Sequence, residues 1–140
     1  MKRTANAHWN GNLKEGKGNI SVQSTVLTNT QYSFNARFAD GVGTNPEELL
    51  GASHAGCFTM ALSAALTKAG FTAGDLDTKA TVELDPAAGA ISNITLDLVA
   101  AAIEGVSEEQ FKEIAKGAKE GCPISKALAA TPITLNVTYK

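Results

Sequence analysis

Short strand-like runs, one of them cleanly alternating apolar and polar residues, fill the first forty positions before the pattern switches to a helical period. "AHWNGNL" and "GNISVQSTV" are short runs separated by the turn-forming "KEGKG". In "YSFNARF", Tyr32, Phe34, Ala36 and Phe38 fall on one side, and Ser33, Asn35 and Arg37 on the other. Alternation of this kind is that of a half-buried strand, so residues 1–40 are predicted to be strands. After the flexible "ADGVGT", a long helix is predicted over about residues 46–69. Asn45 serves as its N-cap, Pro46 as N1 and Glu48 as N3, a capping-box arrangement.

"AGFTAGD" closes that helix, and the period returns to two. "TKATVELD" and "AISNITLDLVAAAI" read as a hairpin around "PAAG". Ser107 and Gln110 open a second helix, in which Phe111, Ile114, Ala115 and Ala118 share a face. Gly121 ends it, Pro123 restarts a short helix to about Ala130, and "PITLNVTY" is a final strand. Strands, two helices and a strand thus fill residues 77–140. The pattern predicts one domain over residues 1–140, α+β with antiparallel sheets rather than a doubly wound parallel sheet.

The long helix is apolar nearly all round. Leu49, Leu50, Ala55, Phe58, Met60, Ala61, Leu62 and Leu66 cannot all face one sheet. Its small residues (Gly51, Ala52, Ser53, Ala55, Gly56) would let another helix approach closely. Such a helix is a buried one, and in so short a chain its cover calls for a second copy of the protein. A break at Gly51, with a restart at Ser53, is the alternative to a continuous helix.

Composition adds exclusions. The chain is 44% hydrophobic and 19% charged with a net charge of −2, which argues against the basic surface of a nucleic-acid binder. "MKRTANAHWNGNL" lacks the apolar core of a secretory signal. No unbroken apolar stretch approaches the roughly 18–20 residues of a membrane span, so no membrane role is expected. The expected location is cytoplasmic, where a permanent disulfide is the less expected use of two cysteines.

Those cysteines are the chemical candidates. Cys57, inside the long helix, reads alone as a small core hydrophobe. Cys122, in "GCP", sits where free N–H groups at a helix start face its sulfur, and chain-local physics makes it the more acidic thiol. Arg37 reads alone as part of a solvated face, and Glu47 as a carboxylate favoured by the helix dipole. Paired, they could hold a guanidinium rigidly with donors left over for a thiolate or peroxide oxygen. His54 shares a helical face with Cys57. A Cys57–His54 hydrolase or acyltransferase, or a metal site with Cys122 and His8, would use that pair, but the spacing matches no zinc pattern. A structural histidine is the simpler reading, and a binding module with inert cysteines stays open.

Taken together, "FNARF", "GTNPEELLGASHAGCFTMAL" and "GCPISKAL" resemble the OsmC/Ohr family of thiol peroxidases. These are the osmotically inducible and organic-hydroperoxide-resistance proteins. The resemblance spans nearly the whole chain and is nearer the OsmC branch; Gly56 stands where alanine is more usual. It implies an intertwined homodimer with central helices and antiparallel sheets wrapped around them. It implies Cys57 as the peroxidatic thiol and Cys122 as the resolving one, against the chain-local acidity. Arg37 would activate Cys57 and the peroxide, with Glu47 orienting Arg37. The cycle would run through a Cys57 sulfenic acid and a Cys57–Cys122 disulfide in oxidative or osmotic stress defence. An external dithiol, borne by a lipoyl protein, would reopen the disulfide. Apolar residues near the thiol, Phe58 and Met60 among them, would suit organic hydroperoxides, and no metal, haem or flavin would be required.

Overall fold

Two compact units, residues 1–49 and 50–140, make up the chain, and the computed structural model describes all 140 residues. In the first, β1 (Ala5–Asn10), β2 (Lys17–Val22) and β3 (Thr30–Tyr32) form an antiparallel sheet in that order. Gly18 on β2 faces Trp9 on one side and Tyr32 on the other, and the two rings lie 5.4 Å apart. A Cβ at Gly18 would run into both rings, so only glycine lets them meet.

Here the structure departs from the strand expected over 32–38. β3 stops at Tyr32, and Phe34–Phe38 is a short helix, α1. Ser33 caps it, its Oγ accepting from the Ala36 N–H at 3.1 Å. Phe34 and Phe38 pack at 4.8 Å. Residues i and i+4 share a side under a period of two and nearly share one under 3.6, so this pair satisfied both patterns. The cap decided between them.

α2 (Pro46–Lys68) is one unbroken helix of 23 residues. The predicted cap is present, with Asn45 Oδ1 accepting from the Glu48 N–H at 2.8 Å. By length and mean hydropathy α2 would also suit a membrane span, although polar residues such as His54 and Thr59 interrupt its apolar run. Its buried stripe nevertheless belongs to the protein's own core: Phe58, Leu62 and Leu66 have no exposed surface and join the apolar cluster of the second unit.

That cluster is built on a second sheet, β4 (Leu76–Asp85), β5 (Ala90–Ala100) and β6 (Ile133–Tyr139), in the order β4-β5-β6. β4 and β5 are the predicted antiparallel hairpin. β6 pairs parallel to β5, so this sheet is mixed rather than wholly antiparallel. Ile94, Leu96, Leu98 and Ala100 on one face of β5 meet Phe111, Ala115 and Ala118 of α3 (Glu108–Gly121) in the cluster. Tyr139 stacks on Phe111 at 4.4 Å, and its hydroxyl accepts from the Ile103 N–H at 2.6 Å, fixing the approach to α3. The short α4 (Pro123–Ala127) follows at once.

Candidate active site

Pro123 sets the position of Cys122. A proline restricts the residue before it to extended backbone, and Cys122 sits at φ −62, ψ 123. α3 therefore ends there, the Cys122 N–H donating to Ala118 O at 2.9 Å, and α4 begins with Cys122 as its N-cap. The side chain has no exposed surface. Cys57, on α2, is half-buried, and its sulfur lies 2.9 Å from that of Cys122. A covalent S–S bond is roughly 2.05 Å, so these are two free thiols sharing a hydrogen bond.

Their acidities diverge. Burial pushes the Cys57 thiol up, the adjoining Cys122 sulfur adds to this, and the Ile124 N–H offsets part of it. Burial acts upward on Cys122 too. There it is outweighed by the contact with Cys57 and by donors at the start of α4: the Ser125 N–H, the Ser125 hydroxyl and the Ile124 N–H. The net direction at Cys122 is downward, as the chain-local argument expected. The N–H groups close no capping bond of ordinary geometry on the sulfur, yet stand near enough to favour its charge. The pair thus loses its first proton more readily than an ordinary cysteine and its second less readily.

Arg37 and Glu47 meet within the first unit. Arg37, in the last turn of α1, donates from Nη2 to Glu47 Oε1 at 2.7 Å and from Nε to both carboxylate oxygens at 3.1 Å. Nη1 has no protein partner. The bond to Glu47 chiefly holds Arg37 further in its charged form. Beside the guanidinium is a cavity of about 260 Å³ walled by Trp9, Leu13, Tyr32, Phe34 and Phe38. Phe58, expected near substrate, is instead a core residue, whereas Met60 is exposed.

His54 is wholly buried, and its Nε2 lies 2.8 Å from Ser125 Oγ. Burial lowers its pKa, so it is neutral near pH 7. Nε2 is thus engaged with Ser125, and no hydrogen bond joins His54 to Cys57. Ser125 was missed in the sequence: 71 positions separate it from His54, and no helical or strand spacing connects them. No group of three His, Cys, Asp or Glu side chains stands close enough to hold a metal ion.

Fold and thiols define a class: an α+β protein with a close dithiol, one cysteine half-buried and the other fully buried. The family model described as OsmC-like protein matches residues 39–138. Over its whole length the chain is 47% identical to Peroxiredoxin OsmC of Escherichia coli (strain K12), covering 98% of that protein. It is 32% identical over 71% of its length to Organic hydroperoxide resistance protein-like 1 of Staphylococcus epidermidis, covering 72% of that protein. The solved Organic Hydroperoxide Resistance Protein OhrB of Bacillus subtilis aligns over 98% of both chains, with TM-score 0.65 and 27% identity. The chain belongs to the OsmC family.

Proposed function

We propose that the protein is a cysteine-based peroxidase that reduces organic hydroperoxides to alcohols. The observation that carries this is the half-buried Cys57 sulfur 2.9 Å from the sealed Cys122 sulfur. Cys122 has no exposed surface whereas Cys57 is half-buried, which supports Cys57 as the thiol that meets an external substrate. The related peroxiredoxin and hydroperoxide-resistance proteins support the same reading.

The shared hydrogen bond reconciles this with the lower pKa at Cys122. Once the pair has lost one proton, passing the remaining proton to Cys122 leaves the thiolate on Cys57. That thiolate attacks one peroxide oxygen and the O–O bond breaks. Cys57 becomes a sulfenic acid, and the departing alkoxide takes a proton from water to leave as the alcohol. Arg37, steadied by Glu47, polarises the peroxide and stabilises the charge on sulfur and oxygen. Cys122 then attacks the sulfenic sulfur, giving a disulfide and water. An external dithiol, such as that of a lipoyl-bearing protein, reduces it by exchange. A homodimer in the cytoplasm is the setting we assign.

In the Cys122→Ser variant, one equivalent of cumene hydroperoxide should be consumed per chain, leaving a Cys57 sulfenic acid that a dimedone-type probe labels. Cys57→Ser should consume none. A labelled Cys122 in Cys57→Ser, or an unlabelled Cys57 in a folded Cys122→Ser protein, would reverse or remove the assigned roles.

A further inference from the structure

His54 and Ser125 have no part in the scheme above, yet both are buried beside the thiols. His54 has no exposed surface and Ser125 is 7% exposed. A polar ring in an apolar core costs free energy unless its atoms are used, and a leucine would fill the space without that cost. One imidazole nitrogen is spent on Ser125, while Nδ1 is buried with no partner. Ser125, in turn, is the third residue of α4. Its N–H and hydroxyl are also the α4 groups that favour charge on the Cys122 thiol at the N-cap, although neither closes a capping bond on that sulfur in the resting state.

We propose that His54 and Ser125 are positioning residues for closure of the Cys57–Cys122 disulfide: the imidazole donates from Nε2 to Ser125 Oγ and so turns the Ser125 hydroxyl proton toward the Cys122 sulfur. This deepens the peroxidase reading and rests on Cys122 being the resolving thiol.

The serine hydroxyl has one proton to give. Were His54 to accept it, none would be left for the sulfur; with His54 donating, it is free. Burial keeps the imidazole neutral, and two tautomers remain. With the proton on Nε2, the unpartnered Nδ1 is a bare lone pair. The other tautomer would bury an unpaired N–H, the rarer and less tolerated arrangement. On closure the Cys122 sulfur gives an electron pair to the Cys57 sulfur, the S–O bond breaks, and the Cys122 proton leaves with that oxygen as water. Negative charge builds on Cys122 as its proton departs, and the Ser125 hydroxyl stabilises it without losing its own proton. The groups that shift the Cys122 thiol are Cys57 from α2 and Ser125 and Ile124 from α4. At His54, burial is the cause of the downward shift, and the Ser125 hydroxyl is the polar group it contacts.

The test separates the two chemical steps after one equivalent of cumene hydroperoxide. Quenched samples report sulfenic acid and disulfide against time and pH. In Ser125→Ala and His54→Leu, sulfenic acid should form within about twofold of the wild-type rate. Closure should slow about tenfold, the usual worth of one hydrogen bond to a charged atom, with its pH midpoint moved upward. The double variant should be no slower than either single one. His54→Gln, which keeps a donor near Nε2, should recover most of the rate, a rescue that mere core filling would not give. Nitrogen-15 NMR of the resting wild-type imidazole should show the Nε2–H tautomer, and an Nδ1–H tautomer overturns the proposal whatever the variants do. Closure in Ser125→Ala at the wild-type rate and pH midpoint overturns it equally. Absence of a Cys57 sulfenic acid in Cys122→Ser is a different failure, that of the underlying thiol roles.

Discussion

Arg37 spends Nε and Nη2 on one carboxylate and keeps Nη1 for something else. Only a planar fork can do both, because its donors are fixed in one plane and point different ways. Its ring neighbour Phe38 lies 5.3 Å from the guanidinium carbon and further limits its swing. Lysine would keep the charge but offer a single nitrogen, so binding Glu47 would compete with binding a peroxide oxygen. Arg37→Lys should therefore slow alkylation of Cys57 at neutral pH and lower kcat/KM by more than ~10-fold, beyond what retained charge would predict. Near-normal alkylation and turnover would take Arg37 out of the reaction. At this scale the sequence named Cys57, Cys122, Arg37 and Glu47, and proposed the Arg37–Glu47 pairing that is observed. It could not name Ser125, whose significance comes wholly from a contact across 71 positions.

Elements were most legible where local chemistry decides them. Asn45-Pro46 marks the start of α2, and Ser107 caps α3, accepting from the Gln110 N–H at 3.2 Å. The β4–β5 hairpin likewise follows from two alternating runs and a short turn. Legibility failed in two places. At α1 the Phe34 and Phe38 spacing fits either period, and a single hydroxyl cap tips the balance. At β6 the alternation is clear, but its neighbour and direction depend on where α3 and α4 return the chain, which no local period encodes. The continuity of α2 was open because Gly51 could break the helix before a restart at Ser53. Gly51 is buried, and a Cβ there would meet Ala80 and Val82 at 3.5 Å or more, an ordinary contact. At Gly56 nothing lies within 4 Å of an added Cβ. Gly56→Ala should thus recover the helical entropy difference of about 0.5–1 kcal/mol and raise Tm by roughly 2–4 °C, with activity unchanged. A calorimetric scan showing a lower Tm would mean that something else packs against this position.

For the molecule as a whole, α2 poses the remaining problem. Gly51, His54, Phe58, Leu62 and Leu66 make one buried stripe. On the opposite side, Ala52, Ser53, Gly56, Met60, Ser63 and Ala64 are exposed, with Met60 at 76%. This outer face has one large apolar side chain amid small ones. Small residues allow a facing helix to come near the close end of the usual 8–10 Å interaxial range. Burying Met60 alone would contribute on the order of 1.5–3 kcal/mol, before any neighbour is counted. A second copy presenting the same face fits these features by symmetry, since a two-fold interface pairs a patch with itself. Sedimentation at micromolar concentration should accordingly find a dimer and no folded monomer. Met60→Glu places two like charges near the axis of such a pair, so it should dissociate the dimer or lower its melting temperature. Met60→Leu should leave both unchanged. A stable wild-type monomer would remove the dimer altogether. A dimeric Met60→Glu protein melting like the wild type would instead keep the dimer and move its interface away from α2.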